Sequence, residues 1–378
     1  MVSRASCSIS WNYVIKILLA TGVFFLFIFI MHGYGGESAP GAAARLCASA
    51  DARQRCRFHD PAAQKTAFPS HMFDRLERRV EGRLRAQCGS GSWNQTARVL
   101  AHDYGNSRGL GNYMFMLAST MGLAASSGRT PILDDVGDRL KMFKNFFPRR
   151  TTQDRKAAAY VTNMPLCGFY DPGLSPRLAA NTTPSLLLSG YLQSYKFFLP
   201  IRDTIRCHFT FTPSTYTTAV AALKAHLQPF PVALLNSHRL IGMHVRRGDI
   251  VPGTASHKQG HTPASDQYLV DSYDALKAQY QSRTIFIVLS NDVRYCQRLF
   301  DGKGNIVYME GNSAEVDLAV LTLMDDIVLT VGTYGWWGAY LSDAATVRYY
   351  DLWPRPGSAI AAEYNHTDFF PPHWTAAH

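Results

Sequence analysis

Apolar positions divide the chain into three stretches. Ile17 to Gly36 carries no formal charge, and Ile17–Met31 is almost wholly apolar, with Phe24, Phe25, Leu26, Phe27, Ile28, Phe29 and Ile30 in one run. Twenty helical residues cover about 30 Å, the thickness of a bilayer core, so residues 15–36 are expected to form a transmembrane signal-anchor. Residues 37–92 read as a stem rich in Ala, Gly, Ser and Arg. Within it Phe73, Leu76, Val80 and Leu84 recur at steps of three and four, the apolar stripe of one short helix. Two heptads are too few for a coiled coil, so the stripe is expected to dock on the body; a homodimer through it is the alternative. From about residue 97 short apolar runs alternate with helical segments. Arg98–Ala101, Pro131–Leu133, Ser185–Gly190, Leu240–Val245, Thr284–Leu289, Asn305–Tyr308, Ile327–Val331 and Thr346–Tyr350 read as strands. Tyr113–Ser127, Tyr268–Tyr280, Val293–Phe300, Ala314–Asp325 and Trp336–Ser342 read as helices, with the Asp325-Asp326 pair closing the fourth. This alternation predicts an α/β protein of two Rossmann-like domains, residues 93–235 and 236–378, meeting near Pro229 and Pro231 with a cleft between them.

Charge and composition place the chain in a compartment. The net charge of +10 is concentrated early: residues 1–100 carry 13 Lys and Arg against 6 Asp and Glu, residues 101–378 carry 25 against 22. A nucleic-acid enzyme would hold that excess on its folded body, so no nucleic-acid partner is expected. Arg4 and Lys16 precede the apolar run, which keeps the tail at 1–14 cytosolic and sends the remainder into the secretory lumen. A cleaved signal peptide would give the same destination, but the apolar core is long for one and the small residues Ala42–Ala44 sit well beyond it. Three sequons suit a luminal body: Asn94-Gln95-Thr96, Asn181-Thr182-Thr183 and Asn365-His366-Thr367. Cys7 is on the cytosolic side; Cys47, Cys56, Cys88, Cys167, Cys207 and Cys296 suffice for up to three disulfides, in 15 connectivities that sequence leaves open.

Three strings carry chemistry. In Ile241-Gly-Met-His244-Val-Arg246-Arg247-Gly-Asp249 an apolar strand ends and a His, two Args and an Asp emerge at its carboxyl end, the edge at which open α/β sheets bind ligands. Paired guanidiniums there suit a diphosphate; a salt-bridged strand end, with Asp249 neutralising an Arg, is the bland reading. In Gly332-Thr333-Tyr334-Gly335-Trp336-Trp337-Gly338 a strand passes through a tight turn into a helix, a geometry that offers N–H groups and the Thr333 hydroxyl to an anion. Gly109-Leu-Gly111-Asn112 is a second Gly-rich turn at a helix start. No Asp-x-Asp pair occurs, so no metal is expected; charge on a bound diphosphate falls to Arg, helix N-termini and hydroxyls.

His244-Val-Arg-Arg-Gly-Asp249, the Gly109–Asn112 loop, Ser290-Asn291-Asp292, Asp317-Leu318 and Gly332-Thr-Tyr-Gly335 together resemble the motif set of the galactoside α-1,2-fucosyltransferases. Gly190-Tyr191-Leu-Gln193-Ser194 and Pro371-Pro-His-Trp374-Thr375 resemble further segments of it, and the resemblance covers about residues 97–376. Tyr113 stands where a Gln commonly follows the Asn, and Ile250 where Tyr is common. The resemblance implies a metal-independent, inverting transferase of the GT-B type in the Golgi membrane, single-pass and type II. It would move L-fucose from GDP-β-L-fucose to the 2-hydroxyl of a terminal β-galactose, with 93–235 on the acceptor side and 236–378 on the donor side. It further implies that Arg246 holds the diphosphate with help from Arg247, Thr333 and Tyr334, that Asp317 lies near the guanine, and that His244 and Asn112 lie near sugar or phosphate. Asp249 is the candidate general base, with orientation of the Arg pair as its other role. An α-1,6- or protein O-fucosyltransferase and a non-catalytic Golgi lectin stand as alternatives.

Overall fold

The computed structural model describes residues 71–86, 88, 98–104, 109–133, 139–145, 159–161 and 167–378. The tail expected to be cytosolic, the anchor expected at 15–36 and the sequon at Asn94 lie outside them; among the described residues no helix is long and apolar enough to cross a membrane. Asn181 and Asn365 are both exposed.

Two all-parallel sheets form. The first holds β1 (Val99–His102), β2 (Thr130–Pro131), β3 (Ala159–Tyr160) and β4 (Ser185–Leu188) in the order β2-β1-β4-β3. The second holds β5 (Arg239–Val245), β6 (Thr284–Ser290), β7 (Ile306–Met309), β8 (Asp326–Leu329), β9 (Val347–Tyr350) and β10 (Thr375–Ala377) in the order β10-β9-β8-β5-β6-β7. β5 sits centrally, with His244 in register with Leu289 of β6 and Leu329 of β8. Strand order reverses between β1 and β4 in one sheet and between β5 and β8 in the other. Loops leaving such paired strands diverge to opposite faces and open a crevice at the carboxyl edge.

The helices follow from burial patterns. α1 (His71–Arg85) buries Met72, Phe73 and Leu76 and lays Val80 and Leu84 against the core. α2 (Leu110–Ser127) is buried nearly all round, as its apolar sequence requires. α3 (Leu174–Ala180) and α4 (Arg202–His208) are short. α5 (Pro213–Leu227) is a helix the pattern reading does not anticipate; Thr212 caps it, Pro213 starts it, and Tyr216, Ala219, Val220, Leu223 and Leu227 make its buried stripe. α6 (Asp266–Gln279), α7 (Val293–Leu299), α8 (Ala314–Thr322) and α9 (Thr333–Leu341) connect the strands of the larger sheet. Ser70–His378 form one compact unit, in which Phe115 of α2 meets Trp336 and Trp337 of α9 at ring separations of 4.4 and 5.1 Å.

One expectation needs adjustment, and the docking of the stem stripe is observed. α8 ends at Thr322, and Asp325 and Asp326 lead into β8 instead of closing the helix. They turn away from α8 because three arginines claim them: Asp325 receives Arg75 at 3.0 Å and Arg79 at 2.5 Å, and Asp326 receives Arg239 at 2.8 Å. α1, within the stretch read as stem, is thereby docked on the body, and a disulfide joins Cys88 beyond it to Cys207 in α4. Among the described residues one disulfide is present, Cys167 and Cys296 are buried, and Cys47 and Cys56 lie outside the described residues.

Candidate active site

The site is built where four loops converge, each leaving a central strand at a point of order reversal. After β5, the backbone N–H of Arg246 donates to Thr330 Oγ1 at 2.9 Å, which ties the ends of β5 and β8 together. The Arg246 guanidinium grips Asp249 with two hydrogen bonds, Nε to Oδ1 at 3.3 Å and Nη2 to Oδ2 at 2.8 Å. It also lies across the turn that starts α9: a Cβ on Gly332 (φ 88°) would come within 2.6 Å of Arg246 Nη1, so only glycine fits there. Arg247 is held separately. Its N–H donates to Asn291 Oδ1 at 2.8 Å, its guanidinium stacks 3.5 Å above the Tyr295 ring, and Nε lies 3.5 Å from Asp292. The two guanidiniums thus have different supports.

After β1 and β8, α2 and α9 begin side by side. Neither start has a side-chain cap, so first-turn N–H groups are left for a ligand. Trp337 Nε1 donates to Gly111 O at 3.0 Å, and a Cβ on Gly111 would fall 2.5 Å from the Thr333 carbonyl carbon. Thr333 Oγ1 donates to Asn112 Oδ1 at 2.6 Å. After β4, Gln193 joins the same atom, its Nε2 donating to Asn112 Oδ1 at 3.0 Å while its Oε1 accepts from the Tyr364 hydroxyl.

Electrostatics separate the roles. His244 is buried against α9, where a Cβ on Gly335 would meet Nδ1 at 2.4 Å. Burial, with the Arg246 charge added, pushes its pKa down to about 4, so the ring is neutral at physiological pH. Partial burial works to raise the Asp249 carboxyl, but the hydrogen bond and charge of Arg246 outweigh it and hold it below the ordinary range. Burial raises the Asp317 carboxyl, which accepts from Asn312 Nδ2 at 3.0 Å. It lies in the first turn of α8, which the Tyr334 hydroxyl also reaches by donating to Ala314 O. Burial, with the Asp317 and Glu315 charges, raises the Tyr334 phenol well above its usual value.

The expected residues of the two main strings and the Asn112 turn therefore gather at one edge, with Asp317 joined through Tyr334. Thr330, Tyr295, Tyr364 and the pair His261–Trp353 were not anticipated. Trp353 Nε1 donates to His261 Nδ1 at 3.2 Å. Burial and then Arg246 push His261 down to about 4, against an opposing pull from Asp249. Thr330 and Tyr295 lie within three residues of the Gly332 and Ser290–Asp292 strings, whereas Tyr364 and the His261–Trp353 pair belong to no string and are brought in only by the fold. Among the described residues no group of three or more His, Cys, Asp or Glu side chains gathers in a way that could hold a metal ion.

A parallel α/β body with guanidiniums and uncapped helix starts at its strand-order reversals has the architecture of a site for a phosphate-bearing ligand. The family model for glycosyl transferase family 11 matches residues 96–376, and the chain belongs to that family. It is similar to galactoside alpha-(1,2)-fucosyltransferase 1 of Bos taurus, 30% identical over 205 residues that cover 53% of this chain and 56% of the relative. It is also similar to the protein of the same description from Mus musculus, 31% identical over 195 residues covering 50% of each. The chain thus spans about half the length of the curated relatives it matches. Among solved structures it has a distant likeness to a variant of Arabidopsis thaliana FUT1 in complex with GDP, with a TM-score of 0.45, 14% identity, and coverage of 72% of this chain and 74% of that one. A further likeness is to POFUT1 in complex with GDP, with a TM-score of 0.43, 12% identity, and coverage of 67% and 98%.

Proposed function

We propose that this chain transfers L-fucose from GDP-β-L-fucose to the 2-hydroxyl of a terminal β-galactose, with inversion and without a metal. It would act in the lumen as a single-pass type II Golgi membrane protein. Family membership and relatives described as galactoside alpha-(1,2)-fucosyltransferases support the reaction. The observation that carries it is the Arg246 guanidinium, clamped by Asp249 across the Gly332 turn, beside two uncapped helix starts.

In this reading the diphosphate lies against Arg246 and the first turns of α2 and α9. As the bond from fucose C1 to the phosphate oxygen breaks, negative charge gathers on the leaving GDP, and Arg246 meets it without having to reorganise. Asp249 serves as the orienting partner: a carboxyl held below its ordinary range by a cation is a weak proton acceptor. An oxocarbenium-like sugar asks little of a base in any case. Asp317 and Tyr334 border the place for the guanine, and neutral His244 backs the phosphate end.

The test is transfer of labelled fucose by the full chain to lactose, an N-glycan and a folded protein module, with linkage analysis and a chelator arm. A product linked to the galactose 2-hydroxyl, insensitive to chelation, is expected. Core-linked or serine-linked fucose would assign the α-1,6 or protein O-transferase activity instead. Absence of GDP binding at high micromolar concentration would favour the non-catalytic lectin, and strict manganese dependence would overturn the metal-free mechanism.

A further inference from the structure

We propose that the Nε2–H of His261 is a binding group for a hydroxyl of the sugar carried by the nucleotide, with the Asp249 carboxylate as its acceptor counterpart. This rests on the reading that the edge takes GDP-fucose.

The imidazole is oriented by a group that bonds in one sense only. An indole N–H donates and never accepts. Trp353 Nε1 lies 3.2 Å from His261 Nδ1, so Nδ1 is the acceptor and the neutral ring carries its proton on Nε2. A ring turned over would set a C–H against the indole N–H, so the same contact fixes the orientation of the ring. Trp353 is itself held. It is 2% exposed, its ring lies 5.1 Å from that of Tyr364 and 5.7 Å from that of Phe369, and its carbonyl accepts from His366 Nε2 at 3.0 Å. The backbone at His261 is pinned as well: its N–H donates to Ser256 O at 3.1 Å, and Gly260 O accepts from the Arg355 N–H at 2.9 Å.

Holding the indole uses one of the two ring nitrogens. Nε2 has no hydrogen-bond partner among the described residues and is not sealed from solvent. It is an unspent donor in the field of Arg246 and Asp249. Burial and the Arg246 charge push the ring down to about 4, so it is neutral at physiological pH and keeps this single donor. Asp249 is more than half exposed, and the two bonds from Arg246 leave lone pairs on its oxygens. A donor and a carboxylate acceptor at one edge match a hydroxyl, which accepts from the first and donates to the second. They do not match a phosphate, which only accepts and is repelled by the carboxylate. The diphosphate therefore stays with Arg246 and the helix starts, and His261 meets the sugar.

His261→Asn separates the two nitrogens without adding charge. The asparagine Oδ1 reaches the place of Nδ1 and still accepts from Trp353, while nothing replaces the Nε2–H. The measurement is the calorimetric Kd of the full chain for GDP and for GDP-fucose, with no acceptor present. GDP affinity is expected to be that of wild type, and GDP-fucose to bind about five- to tenfold more weakly, the loss of one neutral hydrogen bond. Equal weakening of both ligands, or of neither, overturns the proposal. If His261→Asn does not fold, nitrogen NMR of the histidine-labelled wild-type chain decides. His261 should carry its proton on Nε2 at neutral pH, and that resonance should move with GDP-fucose and not with GDP. A proton on Nδ1, or equal shifts from the two ligands, overturns the proposal. In a wild-type chain that binds GDP-fucose without transferring it, the assigned activity fails and the two affinities still decide; a chain that binds neither ligand overturns both.

Discussion

Arginine meets aspartate at both ends of the larger sheet, with opposite consequences. At the amino-terminal edge, Asp325 is 4% exposed and saturated: Arg75, Arg79 and the Leu240 N–H all donate to it. The neighbouring Arg83 and Arg206 share Asp343 and spend further donors on the carbonyls of Thr322, Tyr340 and Ser342. Each of these arginines is paired with a carboxylate of the protein itself, although Nε of Arg75 and Nε of Arg83 are buried without a partner. At the carboxyl-terminal edge Arg246 has one carboxylate partner, more than half exposed, and helix N–H groups around it that no side chain caps. The same pair of residue types is a latch where the protein buries a carboxylate among several arginines and a site where it leaves the guanidinium and helix N–H groups open to a ligand.

If the contrast holds, substitutions at the two edges damage different properties. Asp325→Ala has the largest expected effect, because it leaves two arginines and a buried N–H without their acceptor. Loss of one member of such a buried cluster costs about 3–5 kcal/mol. Thermal unfolding should show it, while GDP affinity per folded molecule stays that of wild type; a weakened GDP Kd in the folded fraction would mean that the edges are not independent. Arg246→Ala comes next, with the reverse signature. Transfer should fall by about 100-fold or more while the melting midpoint is preserved. Turnover above a tenth of wild type would deny Arg246 its role.

A smaller effect sharpens the comparison within the front edge. Gly335→Ala forces a methyl to within 2.4 Å of His244 Nδ1, so either the ring or the start of α9 must move. Overpacking of this kind costs about 1–3 kcal/mol. Since the displaced ring lies beside Arg246, the expected outcome is a weakened GDP Kd together with a modestly lowered midpoint. A lowered midpoint with intact GDP binding would detach His244 from the anion end of the site.

How far the sequence reveals these edges depends on how local their causes are. The strands of the larger sheet are legible because a run such as Ile285–Leu289 is apolar throughout, as a strand buried on both faces must be. The Arg246–Asp249 clamp is legible because its members are three residues apart. α5 escapes notice because Pro213-Ser-Thr-Tyr-Thr-Thr opens it with poor helix formers, and only burial of its later stripe decides the matter. β3, two residues long, has no periodicity to detect, whereas β2 at Thr130–Pro131 overlaps the strand read at Pro131–Leu133. The amphipathic stripe of α1 announces a docking face, but its acceptor, Asp325, is 250 residues from Arg75. The partners of Asn112 are 81 and 221 residues away. Long-range hydrogen bonding leaves no periodic trace in a single chain, so the motif strings show where a site is, and the residues that orient it emerge only with the fold.

The smallest effect concerns pH and again separates the edges. His244 and His261 have folded pKa values pushed down to about 4 from an ordinary 6.5. In this range the unfolded chain binds protons that the folded chain refuses, so stability falls as pH drops from about 6.5 to about 4 and is unaffected by these groups above neutrality. Asp249 is shifted in the same direction but acts at a lower pH: its contribution is present above the unfolded carboxyl pKa and is lost as pH falls through the depressed folded value. His261→Phe removes one proton-binding group from the unfolded chain. It should lower the melting midpoint at every pH, because Trp353 Nε1 loses its acceptor, yet make the decline between pH 6.5 and 4 shallower than in wild type. An identical slope in the variant would mean that His261 is protonated in the folded protein as readily as in water, and the positive field assigned to Arg246 at this edge would then not reach the Trp353 side of the site.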